Sequence, residues 1–154
     1  ETGWIDWDKA DHDFREFTKR LIAFRRAHPI LRQKRFLHSR ERAVDQMEDL
    51  FWSRPDGKPM TQADWDDVNN RVLCAELRMA SGTPAYAERE DALFLVFNAG
   101  DDPVQVKVPE PPEGMRWCLR IRTFDPWFGS EPTNGSLEVP GPSVAVCELE
   151  PRDG

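Results

Sequence analysis

The feature that most constrains this chain is an amphipathic segment at residues 11–28, whose apolar side chains recur at spacings of three and four. That spacing aligns them along one face of an α-helix. Asp8 or Asp11 can cap the helix N-terminus, and Pro29 disfavours helical geometry at His28, so we predict that the helix ends there. The face consists of large side chains that need a broad apolar partner: Phe14, Phe17, Leu21 and Phe24.

After residue 70 the apolar period changes from helical to two, which is typical of strands with one face in water. Residues 93–97 are apolar on both faces, as expected of a strand inside a sheet. Residues 123–135 are predicted to form a long loop. The fold class we predict is mostly β: an antiparallel β-sandwich of about six to eight strands, preceded by one amphipathic α-helix. Alternating strands are predicted at 73–79, 104–108, 117–122, 137–139 and 144–149.

Residues 31–70 are predicted to connect the helix to these strands, with a short strand, a turn and a helical turn of their own. The strand begins at residues 50–52. The Pro-Asp-Gly sequence at residues 55–57 predicts a tight turn, because Pro presets φ and Gly tolerates positive φ. Thr61 followed by Asp64 resembles a capping box, which opens a helical turn.

Three segments of the chain carry motifs that are similar to those of one enzyme family. Residues 4–7 read Trp-x-Asp-Trp and lead into a helix with the pattern Phe-Thr-basic-basic-Leu-Ile that ends in Arg-Arg-x-His-Pro. Residues 52–65 read Trp-x-x-Pro-Asp-Gly-x-x-Met-x-x-x-Asp-Trp, and an apolar strand ends in Asn98-Ala99. In this order the segments resemble the end of the catalytic barrel and the C-terminal β domain of bacterial isoamylase-type glycogen debranching enzymes. These enzymes belong to the alpha-amylase family of glycoside hydrolases.

The resemblance implies a parent enzyme that hydrolyses α-1,6-glucosidic branch linkages of glycogen or limit dextrin through a covalent glycosyl-enzyme, with no cofactor. It also implies that the catalytic carboxylates lie on earlier barrel strands, because no segment here matches their motifs. A complete (β/α)8 barrel takes about 250 residues, so this chain of 154 residues cannot contain one. We therefore expect a non-catalytic, inactive piece that stabilises the barrel.

The resemblance divides the chain into three parts. Residues 1–30 would be the end of the catalytic barrel with its last helix, residues 31–70 the connection, and residues 71–154 the C-terminal β-sandwich. The missing catalytic barrel is then the expected partner of the aromatic helix face. Without the barrel, we expect that face to pair two copies of the chain into a homo-oligomer.

Composition limits the other classes of partner. The formal net charge of −7 argues against a nucleic-acid binder. The longest apolar run, residues 92–97, is far short of the roughly 20 residues that cross a bilayer, and the first residues lack the basic and apolar pattern of a signal peptide, so we expect neither a membrane span nor a signal peptide. Cysteines 74, 118 and 147 show neither disulfide nor metal-ligand spacing, so reduced thiols and a cytoplasmic location are expected.

Catalytic and metal sites have little support in the sequence. Glycoside hydrolysis needs one carboxyl group that stays protonated and a second that ionises, and no acidic pattern here distinguishes the two. The histidines at 12, 28 and 38 lack the four-residue helical spacing of a zinc site. His28 is expected to end the helix, where its ring suits the free carbonyls. We predict no catalytic residue, no metal and no cofactor.

The tryptophans are the main functional candidates, because a flat indole can cover the apolar C–H face of a sugar ring. Trp7, Trp65 and Trp127 are candidate carbohydrate-binding residues, since each has acidic neighbours that can accept hydrogen bonds from hydroxyls. Packing between barrel and β domain is the alternative. Trp52 and Trp117 lie in strands, which favours core packing. A stand-alone module that binds α-glucan or a protein is thus the second hypothesis for function.

Overall fold

The computed structural model describes residues 9–33, 36–40, 48–79 and 91–152. Trp7 lies outside these ranges, as does the rest of the Trp-x-Asp-Trp segment at residues 4–7. Two α-helices are described, α1 His12–Ala27 and α2 Gln62–Asp66, with a 3₁₀ turn at Pro29–Arg32. The strands are β1 Leu50–Ser53, β2 Val72–Met79, β3 Asp91–Asn98, β4 Val104–Lys107, β5 Met115–Arg122, β6 Trp127–Pro132, β7 Ser136–Val139 and β8 Ser143–Pro151.

The strands form two antiparallel sheets. The larger has six strands in the order β1-β2-β3-β8-β5-β6, and the smaller pairs β4 with β7. β3 and β8 lie at the centre of the larger sheet, as predicted for residues 93–97. β1 forms one edge of this sheet, so the sheet includes residues from the segment that the sequence analysis assigned to the connection.

The two faces of the six-stranded sheet bury different clusters. One face packs on the two-stranded sheet through Phe94, Val106, Trp117 and Val139. The opposite face carries Leu93 and other apolar residues that pack against the helical N-terminal segment. Alternation along each strand produces this division, because successive side chains point to opposite faces. The fold is mostly β, with a two-sheet sandwich and one main helix, which confirms the predicted fold class.

The bounds of α1 follow from its caps. The carboxylate of Asp11 accepts a hydrogen bond from the backbone N–H of Phe14 at 2.9 Å, so Asp11 is the N-cap. The helix ends at Ala27, and the N–H of His28 donates to the carbonyl of Phe24. The predicted end of the helix at His28, just before Pro29, is confirmed.

The aromatic face of α1 is only partly covered in this chain. Phe17 and Phe24 pack against the apolar cluster on the helix side of the six-stranded sheet, and the Phe17 and Phe128 ring centroids are 5.0 Å apart. Phe14 remains 68% exposed and Leu21 37% exposed. The four residues therefore divide into a pair on the sheet and a pair that faces water.

The local predictions for residues 55–64 are confirmed. Gly57 has φ of 81° in the turn, and Thr61 and Asp64 form a reciprocal capping box at the start of α2.

The prediction of a long loop at 123–135 is wrong, because β6 lies within it as an edge strand beside β5. This strand lacks clean alternation, and it contains Gly129 and Pro132, which usually argue against a strand. Pro132 is tolerated since an edge strand leaves one side unpaired. A Cβ at Gly129 would lie 2.2 Å from the Trp127 ring, so glycine lets the indole lie along the strand.

Candidate functional site

The only candidate indole that the described residues leave half-exposed is Trp65, on α2. The capping box of Thr61 and Asp64 fixes the start of this helix. The Trp65 ring meets the Trp52 ring edge-on, with centroids 5.9 Å apart and planes at 83°. Trp65 is 49% exposed, while Trp52 is partly buried on β1. The pair therefore presents one supported indole to water, not two coplanar ones.

Charged residues follow Trp52 and precede Trp65 in the chain, and they contact one another. The Arg54 guanidinium donates to the Asp56 carboxylate at 3.1 and 3.3 Å and lies 3.7 Å from Asp64. Hydrogen bonds from Thr61 lower the pKa of Asp64, and the backbone N–H of Lys58 lowers the pKa of Asp56. Both carboxylates are thus held ionised. Neither fits the protonated acid that glycoside hydrolysis requires, although both can accept hydrogen bonds from hydroxyls.

Trp127 lies at the opposite edge of the six-stranded sheet. Its partly buried ring packs against the cluster between the sheets, and the Arg122 guanidinium lies 5.2 Å from the ring centroid. Because Trp52 and Trp65 lie beside β1 and Trp127 lies on β6, five strand spacings separate them, on the order of 20 Å. The structure therefore does not bring Trp65 and Trp127 into one surface. Trp117 is buried in the core, as expected.

A buried ionisable cluster lies where α1 ends, and sequence reasoning missed it. Nδ1 of His28 is 2.8 Å from Oδ1 of Asp91, and the backbone N–H of Ile30 donates to Oδ2 of Asp91 at 3.0 Å. Nε2 of His28 is 3.8 Å from Oε2 of Glu148, whose partner is Arg120 at 2.9 Å. The ring was expected to serve the helix carbonyls, but it meets carboxylates from two strands of the sheet.

The missed cluster has only a weak sequence signal. His28 and Asp91 are 63 positions apart, so no local spacing relates them. The available hint is an acidic residue at the start of an apolar strand, where a carboxylate must find a buried donor. Through these contacts, the cluster joins the C-terminal end of α1 to β3, β5 and β8.

Thiols, metal ligands and membrane-spanning helices are three other features that could mark a site. Cys74, Cys118 and Cys147 are free and buried, and burial raises the pKa of Cys74 and of Cys147 to about 12. No group of three His, Cys, Asp or Glu side chains within the described ranges is arranged to hold a metal ion. Neither helix in that part of the chain is long and apolar enough to cross a membrane.

Comparison with known proteins places the described sheets in a family. The family model described as "Isoamylase, C-terminal" matches residues 49–145, which run from just before β1 into β8. An isoamylase of Flavobacterium sp is 30% identical over 147 residues, covering 93% of this chain and 18% of that protein. A glycogen debranching enzyme of Pectobacterium atrosepticum is 35% identical over 121 residues, covering 76% of this chain and 17% of that protein.

The chain is also similar to a "Glycogen operon protein GlgX homolog" of Mycobacterium tuberculosis, 29% identical over 133 residues, which cover 82% of this chain and 18% of that protein. The chain thus spans less than a fifth of the length of these curated relatives. The resemblance drawn from the Trp-x-x-Pro-Asp-Gly and His-Pro segments is confirmed. With a family model matched over more than half of its residues, the chain belongs to the isoamylase C-terminal family.

Proposed function

We propose that this chain is the C-terminal, non-catalytic part of a glycogen debranching enzyme that hydrolyses α-1,6-glucosidic branch linkages of glycogen and limit dextrin. The observation that carries the proposal is the family match over residues 49–145, together with relatives named isoamylase and glycogen debranching enzyme. The catalytic carboxylates belong to a barrel that precedes this part. No cofactor is needed, because the reaction uses carboxyl groups alone.

The role of this piece is to stabilise the barrel through α1. Phe17 and Phe24 hold the helix on the β-sheet, while Phe14 and Leu21 point to water. An exposed apolar pair on a helix that is already anchored supports a second contact on its free side. The proposed occupant of that side is the catalytic barrel, with α1 as its last helix. In the isolated chain the same residues would pair two copies, which light scattering would detect as a dimer.

The stabilising role is tested in a longer enzyme that carries this chain after its barrel. The double substitution Phe14→Ser and Leu21→Ser should lower the melting temperature, because it removes buried apolar area at the interface. The initial rate of debranching at low temperature should stay unchanged, since the contact lies away from the reacting atoms. Arg15→Ser on the same helix is the matched control and should change neither. An unchanged melting temperature in the double variant would contradict the proposal.

A second candidate function, α-glucan binding, is favoured by the exposure of Trp65. Its indole is held edge-on by Trp52 and has carboxylates nearby, an arrangement that suits a sugar ring with its hydroxyls. Titration of tryptophan fluorescence with maltoheptaose tests this candidate. Saturable quenching that Trp65→Ala abolishes and Trp127→Ala preserves would support it; no change in a folded protein would reject it. Trp7 remains a candidate to be tested by the same substitution.

The proposed location of the parent enzyme is the cytoplasm. Three buried, unpaired thiols suit a reducing compartment, and one relative takes its name from a glycogen operon. Fractionation of cells that express the longer protein would test the assignment, and recovery of the enzyme outside the cytoplasmic fraction would contradict it.

A further inference from the structure

A cavity of about 270 Å³, which we call the end cavity, lies beside the ends of several strands. It is lined by the segment that follows β4, the start of β5, the turn between β6 and β7, and Arg152 after β8. None of these lining residues belongs to α1 or to the surroundings of Trp65. The volume is just below the roughly 300 Å³ at which pockets for drug-sized ligands begin, so the end cavity suits a smaller molecule.

One residue of the end cavity carries a buried donor that has no acceptor. Trp117 lines the cavity, is 1% exposed, and packs against Phe94 with ring centroids 6.2 Å apart. Its Nε1 is buried and makes no hydrogen bond with any residue that the structure describes. An indole N–H can only donate, and a buried donor without an acceptor costs stability. The acceptor is therefore expected from a water molecule or a bound ligand.

The charged residues that line the end cavity favour a negatively charged ligand. Arg116 and Arg152 both line it, whereas no acidic residue of the described ranges does, although the chain has a formal net charge of −7. Nε of Arg152 donates to the carbonyl of Met115 at 2.9 Å, which anchors the guanidinium while its other N–H groups remain able to donate. Asn134 also lines the cavity. The end cavity therefore combines hydrogen-bond donors with positive charge.

Two acidic residues that are close to this lining along the chain or across the sheet have other surroundings. Glu150 is the β8 partner of Arg116, and its carboxylate lies 3.1 Å from Nη1 of Arg120 and 3.3 Å from the hydroxyl of Ser130. Glu110, which follows β4, lines a different cavity. Neither carboxylate therefore takes the place of an anion in the end cavity.

We propose that the end cavity binds a small oxyanion, the phosphate or carboxylate group of a low-molecular-weight ligand. One oxygen accepts a hydrogen bond from Nε1 of Trp117, and the guanidinium of Arg152 donates to the same group, because guanidinium N–H groups match the geometry of an oxyanion. Val108 and Pro109 give the cavity an apolar wall for the carbon part of the ligand. This inference is independent of the proposed enzyme, since it uses no residue of α1 or of the Trp65 site.

NMR of the indole N–H groups in the ¹⁵N-labelled 154-residue chain tests the proposal at the donor itself. The chain is titrated with inorganic phosphate and, separately, with acetate, both at constant ionic strength. At least one of these anions should move the assigned Trp117 indole signal in a saturable way, and the anion that does so identifies the ligand group. Maltose is the uncharged probe and should leave the signal in place.

Two results of this titration would overturn the proposal. A Trp117 signal that stays fixed with both anions would mean that a water molecule supplies the acceptor. A signal that maltose also moves would mean that the cavity binds hydroxyl groups and does not select for negative charge.

Two arginine variants separate a built site from a general attraction of anions to positive charge. Arg152→Gln should raise the dissociation constant of the anion roughly tenfold or more, because a hydrogen bond between charged groups is lost. Arg152 is exposed near the end of the described chain, so the fold should tolerate the change. Arg71→Gln, at an exposed position before β2, is the matched control and should leave the dissociation constant unchanged. Equal weakening in both variants, or none in Arg152→Gln, would contradict the site.

Discussion

At the scale of single residues, Asn98 shows how one buried side chain joins two sheets. Its amide group donates to the carbonyl of Asp102 at 2.9 Å and to that of Val139 at 3.0 Å, and its oxygen accepts from Gly100 at 2.9 Å. Val139 ends β7 of the smaller sheet, while Asn98 ends β3 of the larger. The motif Asn98-Ala99 thus has a structural reason that lies in the sandwich itself.

Asn98→Ala removes these hydrogen bonds, including the buried one to the carbonyl of Val139. We expect it to lower the free energy of unfolding by about 2–4 kcal/mol, measured by urea denaturation. Asn134→Ala, at an exposed position, is the matched control and should change stability by less than about 0.5 kcal/mol. A change at Asn98 no larger than that of the control would contradict this account of the junction.

The buried thiols give a second prediction at this scale. Burial raises the pKa of Cys74 and Cys147 from 9.0 to about 12, and it raises that of Cys118 as well. The reactive thiolate is therefore depleted at about pH 8, roughly a thousandfold for the first two. Ellman's reagent should label the native chain slowly at all three positions and rapidly in urea. Rapid labelling of the native chain at Cys74 or Cys147 would be inconsistent with this burial.

At the scale of elements, α1 is divided between two environments. Phe17 contacts Phe128 and the apolar cluster on the sheet, whereas Phe14, one turn earlier, is mostly exposed. In the isolated chain Phe17→Ala should cost about 1–3 kcal/mol of unfolding free energy, since it removes a partly buried ring from the contact between helix and sheet. Phe14→Ala should cost less than about 0.5 kcal/mol. Equal losses, measured by urea denaturation, would show that the helix is not seated as described.

The elements also show what the sequence can predict. The sequence predicts α1, the capping box and the alternating strands, because each of them depends on residues that are close together along the chain. β6 was missed because an edge strand tolerates glycine and proline, which reduce its alternating pattern. The cluster of His28 with Asp91 and Glu148 was missed because strand order alone brings these residues together. The exposure of Trp65 and the partial burial of Trp127 likewise depend on tertiary contacts.

At the scale of the whole molecule, the proposed role of the sandwich and its helix is to support a barrel, and the charges of the described residues bear on the alternative of hydrolysis. Among the residues that the structure describes, the acidic ones with a perturbed pKa, Glu16, Asp56 and Asp64, are all shifted downward, because hydrogen bonds and nearby cations favour their ionised forms. A glycosidase needs a carboxyl group shifted the other way. The apolar face of α1 and the short match to much longer relatives agree with a part that supports a barrel.

The measurement that tests this account most directly is the release of oligosaccharides from glycogen and limit dextrin by the 154-residue chain alone. Circular dichroism would first establish that the chain is folded, and a complete debranching enzyme would serve as the positive control. The account predicts no release above the rate without protein. Measurable release that scales with the concentration of the folded chain would contradict it, because the catalytic carboxylates would then have to lie within these residues.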